Sequence, residues 1–433
     1  MSSNYSAVVV RLGEVRKHSN ADRLMCTTIF GNNIIVGLDA KEGDVGIYFP
    51  LEAQIGQELA DANDLIRRKD EDGKPAGGMF DKNRRVRAQS FRGEKSMGYF
   101  MTITDFFKIP EFAALILEDG DDLDIVAGMQ VSKKFELPKR MQSEGNSLNG
   151  KKAKRESRVV EGQFNFHFDT AQLGRNMHKV QPDDLISITW KFHGTSGVAA
   201  YVKCKKTEFS IWNLIGKKLG LDIVDTYYDY VFSSRKVIKN DDKVYHHFYD
   251  SDLWTMAGNM FKTKLRKGES VYYELVGHTD GGKEIQKGYD YKCAPNTSEI
   301  YVYRMTSTNE DGDVIEMPWH QVKHRCEEMG FKTVPEIYYG NAYELMDDRV
   351  HDEAYNQGES FSESFFGHLG REYVYDQDSY FCNNKVPEEG IVVRVERGNG
   401  IECFKYKSFK FLGHETKMLD KGEADVESEE SAE

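Results

Sequence analysis

Apolar residues in the first hundred positions come in short runs broken by turn signals: AVVVRLGEV, LMCTTIF, NNIIVGL, VGIYFPL and SMGYFMTI. Runs of that length and spacing predict a small β-barrel or sandwich over residues 1–137. Periodicity then disappears in residues 138–158, PKRMQSEGNSLNGKKAKRESR, which are rich in Ser, Asn, Gly and Lys. That composition marks a linker, placed here at 138–160. Beyond it, LISITWKFHGTSGVAAYV, SVYYELVG, EIYVYRMT, GIVVRV and IECFKYKSFKF read as strands. DSDLWTMAGNMFKTKL (250–265) and PWHQVKHRCEEMGF (318–331) carry apolar residues at helical spacing and read as helices. Strands and helices interleave without regular βαβ alternation, so residues 161–413 are expected to form an antiparallel α+β domain.

Composition adds bounds. The chain has 433 residues, enough for two or three domains with their own cores, and its 23 Tyr and 25 Phe supply packing without a staple. The six cysteines form no Cys-x-x-Cys pair, which argues against a disulfide framework or a zinc site and for a cytoplasmic protein. No segment has the apolar length to cross a bilayer, and the N-terminus does not read as a signal peptide. Net charge is −13, but it is unevenly spread. Residues 414–433 end in ESEESAE and are expected to be a solvated acidic tail. KNRRVRAQSFRGEK (82–95) and the linker are strongly basic and are candidate polyanion surfaces, although a charge run is usually just a solvated face.

The chemistry is concentrated in KFHGTSG (191–197), VYYELVG (271–277), EGIVVR (389–394) and FKYKSFKF (404–411). Each has an ordinary reading taken singly: a solvated lysine, an edge-strand carboxylate, a turn before a strand, lysines on an exposed face. Taken in order they resemble the nucleotidyltransferase motifs of covalent ATP-dependent ligases. KFHG stands as motif I, SSRK (233–236) as Ia, YYELVG as III, YVYRM (301–305) as IIIa, EGIVVR as IV and KYK (405–407) as V. The resemblance spans roughly residues 165–412. With FDTAQLGRN (168–176) upstream and a barrel-like region ahead of it, the chain is similar to the Deinococcus-type RNA ligases. RLGEVRKHSNADRL also resembles the opening of oligonucleotide-binding (OB) barrels.

The resemblance implies an N-terminal OB-like barrel followed by an ATP-grasp-like adenylyltransferase domain. It implies an RNA ligase that joins 3′-OH and 5′-phosphate ends in RNA repair, acting as a monomer on RNA with ATP and Mg²⁺ or Mn²⁺. Lys191 is the implied nucleophile, taking AMP as a lysyl phosphoramidate. Lys405, Lys407 and a metal are expected to lower its pKa and to stabilise charge at the α-phosphate. Tyr272 is the implied adenine-stacking ring and Glu274 the ribose acceptor. Arg235 contacts ribose or phosphate, and Glu389 holds the metal. Trp190 is expected to belong to the nucleotide site, and Gly194 to let the backbone approach the nucleotide. His193 replaces the commoner Asp of motif I, and a packing role stands beside a catalytic one. The loop 278–293 is either a rim of the nucleotide site or a plain surface loop. Residues 1–137 are expected to grip substrate and to leave the nucleotide chemistry to the second domain. A DNA ligase, a GTP-using capping enzyme and a non-catalytic RNA-binding protein are the rival readings; the short stretch after Lys407 leaves no room for the C-terminal OB domain and motif VI of the first two.

Overall fold

The computed structural model describes residues 4–73, 75–137, 158–167, 169–206, 225–239, 252–398 and 400–423. In the N-terminal region, strands β1 (Val8–Arg11), β2 (Val15–Lys17), β3 (Leu24–Ile29), β4 (Asn32–Gly37), β5 (Val45–Phe49) and β6 (Tyr99–Thr102) fall where the apolar runs place them. They pair as β1-β5-β6 and β2-β3-β4, with smaller two-stranded sheets beside them. Among the described residues these sheets are open, and no closed barrel forms. Val9, Ile47, Phe49, Met101 and Phe106 bury one apolar core against them.

The C-terminal region is built on two sheets. Strands β7 (Leu185–Trp190), β12 (Glu336–Asn341), β13 (Gly390–Arg397) and β14 (Gly400–Lys407) lie in the order β14-β13-β7-β12, with Ala171–Gln172 parallel to β14 at one edge. Strands β8 (Thr195–Lys205), β9 (Thr226–Ser233), β10 (Glu269–Gly277) and β11 (Ser298–Thr308) form the second sheet in the order β9-β8-β10-β11. Helices α1 (Leu253–Asn259) and α2 (Trp319–Met329) back the second sheet, where Phe261, Tyr273 and Trp319 fill the core. Residues 306–388 supply α2, α3 (Asp348–Gln357) and α4 (Phe361–Glu372). Ser360 and Glu363 cap α4 reciprocally, a capping box that ends the preceding loop. Its Phe365, Phe366 and Leu369 then cover the outer face of the first sheet.

Three boundaries differ from expectation. Residues 414–420 belong to helix α5 (Phe409–Asp420), so a tail beginning at 414 starts inside a helix; residues 424–433 lie outside the described residues. Phe409 and Phe411, read as the end of the strand IECFKYKSFKF, instead open this helix after the strand stops at Lys407, and with Leu412 they carry its apolar face. Linker residues 138–157 are outside the described residues, but Arg158 already pairs with Asp229 at 2.6 Å, and Val159 bridges to Cys204.

The basic run 82–95 is the third difference. The Arg85 side chain is fully buried, with Glu52 at 3.1 Å and Asp420 also paired to it, and Arg87 pairs with Asp81 at 2.8 Å and with Asp420 at 3.3 Å. Lys95 pairs with Asp376. Much of this charge is therefore spent holding the N-terminal region against the C-terminal one. Arg85→Met would leave Glu52 and Asp420 without their shared partner. The expected cost is about 3 kcal/mol, read as a lower urea midpoint for the first unfolding transition. No described helix is long and apolar enough to cross a membrane.

Candidate active site

Lys191 follows the last residue of β7, and residues 191–194 carry the chain from the first sheet to the second. Side chains alternate along β7: Ile186 and Ile188 enter the core, while Ser187, Thr189 and Lys191 face a cavity between the sheets. Register across the sheet stacks three rows on that face. Ser187 pairs with Arg394 and on to Cys403; Thr189 pairs with Val392 and on to Lys405; and Gly390, opposite Lys407, accepts the Lys191 backbone N–H at 2.9 Å. The cavity thus has a cationic end and a more neutral end.

At the cationic end, Lys191 Nζ and Lys407 Nζ lie 2.8 and 3.2 Å from the same Glu389 oxygen, Oε1. Burial would raise the Glu389 carboxyl, but Lys191 and Lys407 together outweigh it and hold the pKa below the usual range. Burial also opposes the Lys407 ammonium, yet Glu415, 2.8 Å away, and Glu389 keep its pKa well above the ordinary value. Lys405 has weaker support: burial, then Lys407, bring it down to about 8. Asp169 pairs with Arg235, and that arginine together with Lys405 keeps its carboxyl low despite burial.

The expected site residues Trp190, Lys191, His193, Arg235, Glu274, Glu389, Lys405 and Lys407 all line this one cavity. Gly194 and Tyr272 do not. The Glu274 carboxylate is occupied by the motif I backbone, accepting from the Gly194 N–H at 2.8 Å and the Ser196 hydroxyl at 3.1 Å. A Cβ on Gly194 would lie 2.3 Å from the Leu275 carbonyl oxygen. Close packing of strand on strand therefore requires the glycine. Gly194→Ala should shift the 191–194 segment and cost about 1–3 kcal/mol of stability, checked by a melting curve.

Tyr272 shares the Glu274 face of β10 but is fully buried, with the Arg304 guanidinium 4.3 Å over its ring. On β11 the aromatic residue that lines the cavity is Tyr303; Tyr5, Phe135, Trp190 and Trp319 line it as well. The β10–β11 register slips between Tyr272 and Tyr273, so Tyr303 is the extra residue of a bulge and both it and Arg304 reach the cavity. YVYRM was visible in the sequence; the bulge that aims its second tyrosine was not.

His193 is wedged edge-on between Tyr289 and Phe411, with Nδ1 4.0 Å from Glu389 Oε2, beyond hydrogen-bond length. Its neighbour Phe192 is buried among Tyr291, Tyr301 and Phe381. The 278–293 loop clamps this segment. Gln286 donates to the Gly194 carbonyl at 2.7 Å, and the Tyr291 hydroxyl accepts from the His193 N–H. The N-terminal region also reaches the cavity through Tyr5, Glu52, Lys134 and Phe135, so the second region does not line it alone.

The sequence profile of the RNA ligase family matches residues 184–411, the span that carries all of these strands. The chain belongs to the RNA ligase family. No curated protein sequence matches this ligase. Among solved structures, it is similar to the Naegleria gruberi RNA ligase with PPi, at TM-score 0.59 and 16% identity over 95% of this chain and 99% of that one. Mutants of the same Naegleria ligase, one with AMP and Mn and one with ATP and Mn, each give TM-score 0.58 at 15% identity, covering 94% of this chain and 98% of theirs. At such identities the likeness is one of fold.

The expected metal ligand can be tested on its own atoms. Glu389 Oε2 is buried, and among the described residues it has no hydrogen-bond partner. A buried carboxylate oxygen left open at the edge of a cavity fits a hard divalent cation. Among the described residues no group of three or more His, Cys, Asp or Glu gathers to hold one, at Glu389 or elsewhere, so this carboxylate stands as a single protein ligand.

Proposed function

We propose that this chain is an ATP-dependent RNA ligase of the Deinococcus type, working through a lysyl-AMP intermediate to join 3′-OH and 5′-phosphate ends in RNA repair. The observation that carries the reading is the meeting of Lys191, Glu389 and Lys407 on one carboxylate oxygen at the cationic end of the cavity. In the first step Lys191 Nζ bonds to the α-phosphorus of ATP while the bond to the bridging oxygen breaks and pyrophosphate leaves. AMP then passes to the RNA 5′-phosphate, freeing the lysine. Finally the 3′-hydroxyl attacks that phosphorus, AMP departs, and a phosphodiester forms.

Lys407 and Lys405 are placed to bear on negative charge at the α-phosphate as it transfers. Arg235, steadied by Asp169, is the further phosphate or ribose contact. Tyr303 would take over the base-stacking role first assigned to Tyr272, because it lines the cavity and the buried Tyr272 does not. Glu274 orders the Lys191–Gly194 segment and lines the cavity, where it would accept from a ribose hydroxyl. Mg²⁺ or Mn²⁺ would be held by Glu389, where it supplies positive charge that offsets the carboxylate opposite Lys191 and favours the neutral amine. His193 acts by packing.

The N-terminal region is read as an OB-like module because it gathers short antiparallel strands into two small sheets, β1-β5-β6 and β2-β3-β4, which stay open among the described residues. Residues 1–137 would form this module, 161 onward the catalytic domain, and the ligase would act as a monomer. All six cysteines are free thiols, as in a cytoplasmic protein. Sealing assays over nicked RNA, DNA and hybrid duplexes and free single strands test the reading. Joining of at least one RNA-containing substrate with 3′-OH and 5′-phosphate ends is expected; joining of DNA alone would make it a DNA ligase.

A further inference from the structure

We propose that Glu415 is a positioning residue for Lys407, and that helix α5 ties this lysine to the docking of the N-terminal region. The inference rests on the reading of Lys407 as a group acting on the transferred phosphate. Glu389 Oε1 is shared between Lys191 and Lys407. The Glu415 carboxylate, 2.8 Å from Lys407 Nζ, has no other ion pair among the described residues. One carboxylate therefore holds both lysines, and a second fixes the direction of Lys407 alone.

Helix α5 is anchored at both ends. At its start, Ser408 donates from its hydroxyl to the Glu388 carbonyl at 2.7 Å and from its N–H to the Glu389 carbonyl at 2.9 Å. The same hydroxyl caps the helix by accepting from the Phe411 N–H at 3.2 Å. Further along, the residue after Glu415 faces the N-terminal region. The Thr416 carbonyl accepts from Arg85 Nη2 at 3.1 Å, and its hydroxyl donates to Glu52 at 3.2 Å and accepts from the Ala88 N–H at 3.3 Å. Asp420 closes the contact on Arg85 and Arg87. Phe409 and Leu412 pack into the N-terminal core. Consecutive residues of one helix thus grip the reactive end of the cavity and the other region. A rotation or shift of α5 that broke the Thr416 contacts would also move Glu415 away from Lys407.

The test uses the full chain and α-labelled ATP, following covalent adduct formation against ATP concentration. Glu415→Gln keeps the shape and removes the charge. It should lower the maximal rate of adduct formation about 10- to 100-fold, with a much smaller change in the ATP concentration for half-saturation. Glu415→Asp, which restores the charge, should recover part of that rate. Thr416→Val, which removes both hydroxyl contacts at nearly constant volume, should slow the same step by less. An unchanged maximal rate in Glu415→Gln would overturn the proposal. So would equal losses in the Gln and Asp variants with lowered melting temperatures, which is the pattern of a helix-stability role. Absence of adduct from the unmodified chain would instead sink the lysyl-AMP reading, and this inference with it.

Discussion

Lys191→Ala is expected to abolish sealing of 5′-phosphate ends, by more than about 10⁴-fold, yet to spare joining of ends that already carry AMP. In the proposed mechanism the amine takes AMP from ATP and passes it to the 5′-phosphate. It has no bond to make in the last step, where the 3′-hydroxyl displaces AMP. A general collapse of the cavity would lose both activities together, so pre-adenylylated RNA separates a missing nucleophile from a misfolded site. Lys191 is itself only partly exposed, with its side chain at 27%. Its loss removes one of the two ammonium groups holding Glu389, and Lys407 remains 3.2 Å away to keep that carboxylate paired.

Glu389→Gln is the second large loss, on the order of 10²- to 10³-fold in adduct formation. Three features depend on this one buried carboxylate. It pairs with Lys191, it pairs with Lys407, and its Oε2 is the open oxygen suited to a divalent cation. The amide keeps the shape but loses the charge, leaving two ammonium groups close together with no anion between them. The variant should therefore also respond less steeply to Mg²⁺ or Mn²⁺, measured as adduct yield over a metal titration. A Glu389→Gln protein with full adduct yield and an unaltered metal response would remove the carboxylate from the account.

The motif residues could be read from the sequence because the chemistry needs particular side chains next to strand ends. A lysine after LISITW, a glutamate before GIVVR and lysines alternating in FKYK fall together once the three strands pair. What could not be read depends on register or on distant partners. Tyr303 reaches the cavity because a bulge shifts β11 by one residue, and nothing in YVYRM announces the slip. The basic run 82–95 looked like a polyanion surface because its partners, Thr416 and Asp420, lie more than three hundred residues away. Glu415 was counted as tail because charge density masked the apolar face of α5. Gly194 was given to the nucleotide, whereas the atom that excludes a side chain there is the carbonyl of Leu275 in the next strand. The open N-terminal sheets show the same gap, since strand positions are local but closure is set by pairings between distant strands.

The most direct test of the central claim is the site and identity of the covalent adduct. The unmodified protein would be incubated with α-labelled ATP, or with α-labelled GTP, and Mg²⁺ or Mn²⁺, then digested and mapped by mass spectrometry. The predicted result is a single AMP, acid-labile as a phosphoramidate is, on the peptide containing Lys191, with no adduct from GTP. An adduct on another residue, an adduct from GTP alone, or none from either nucleotide would contradict it.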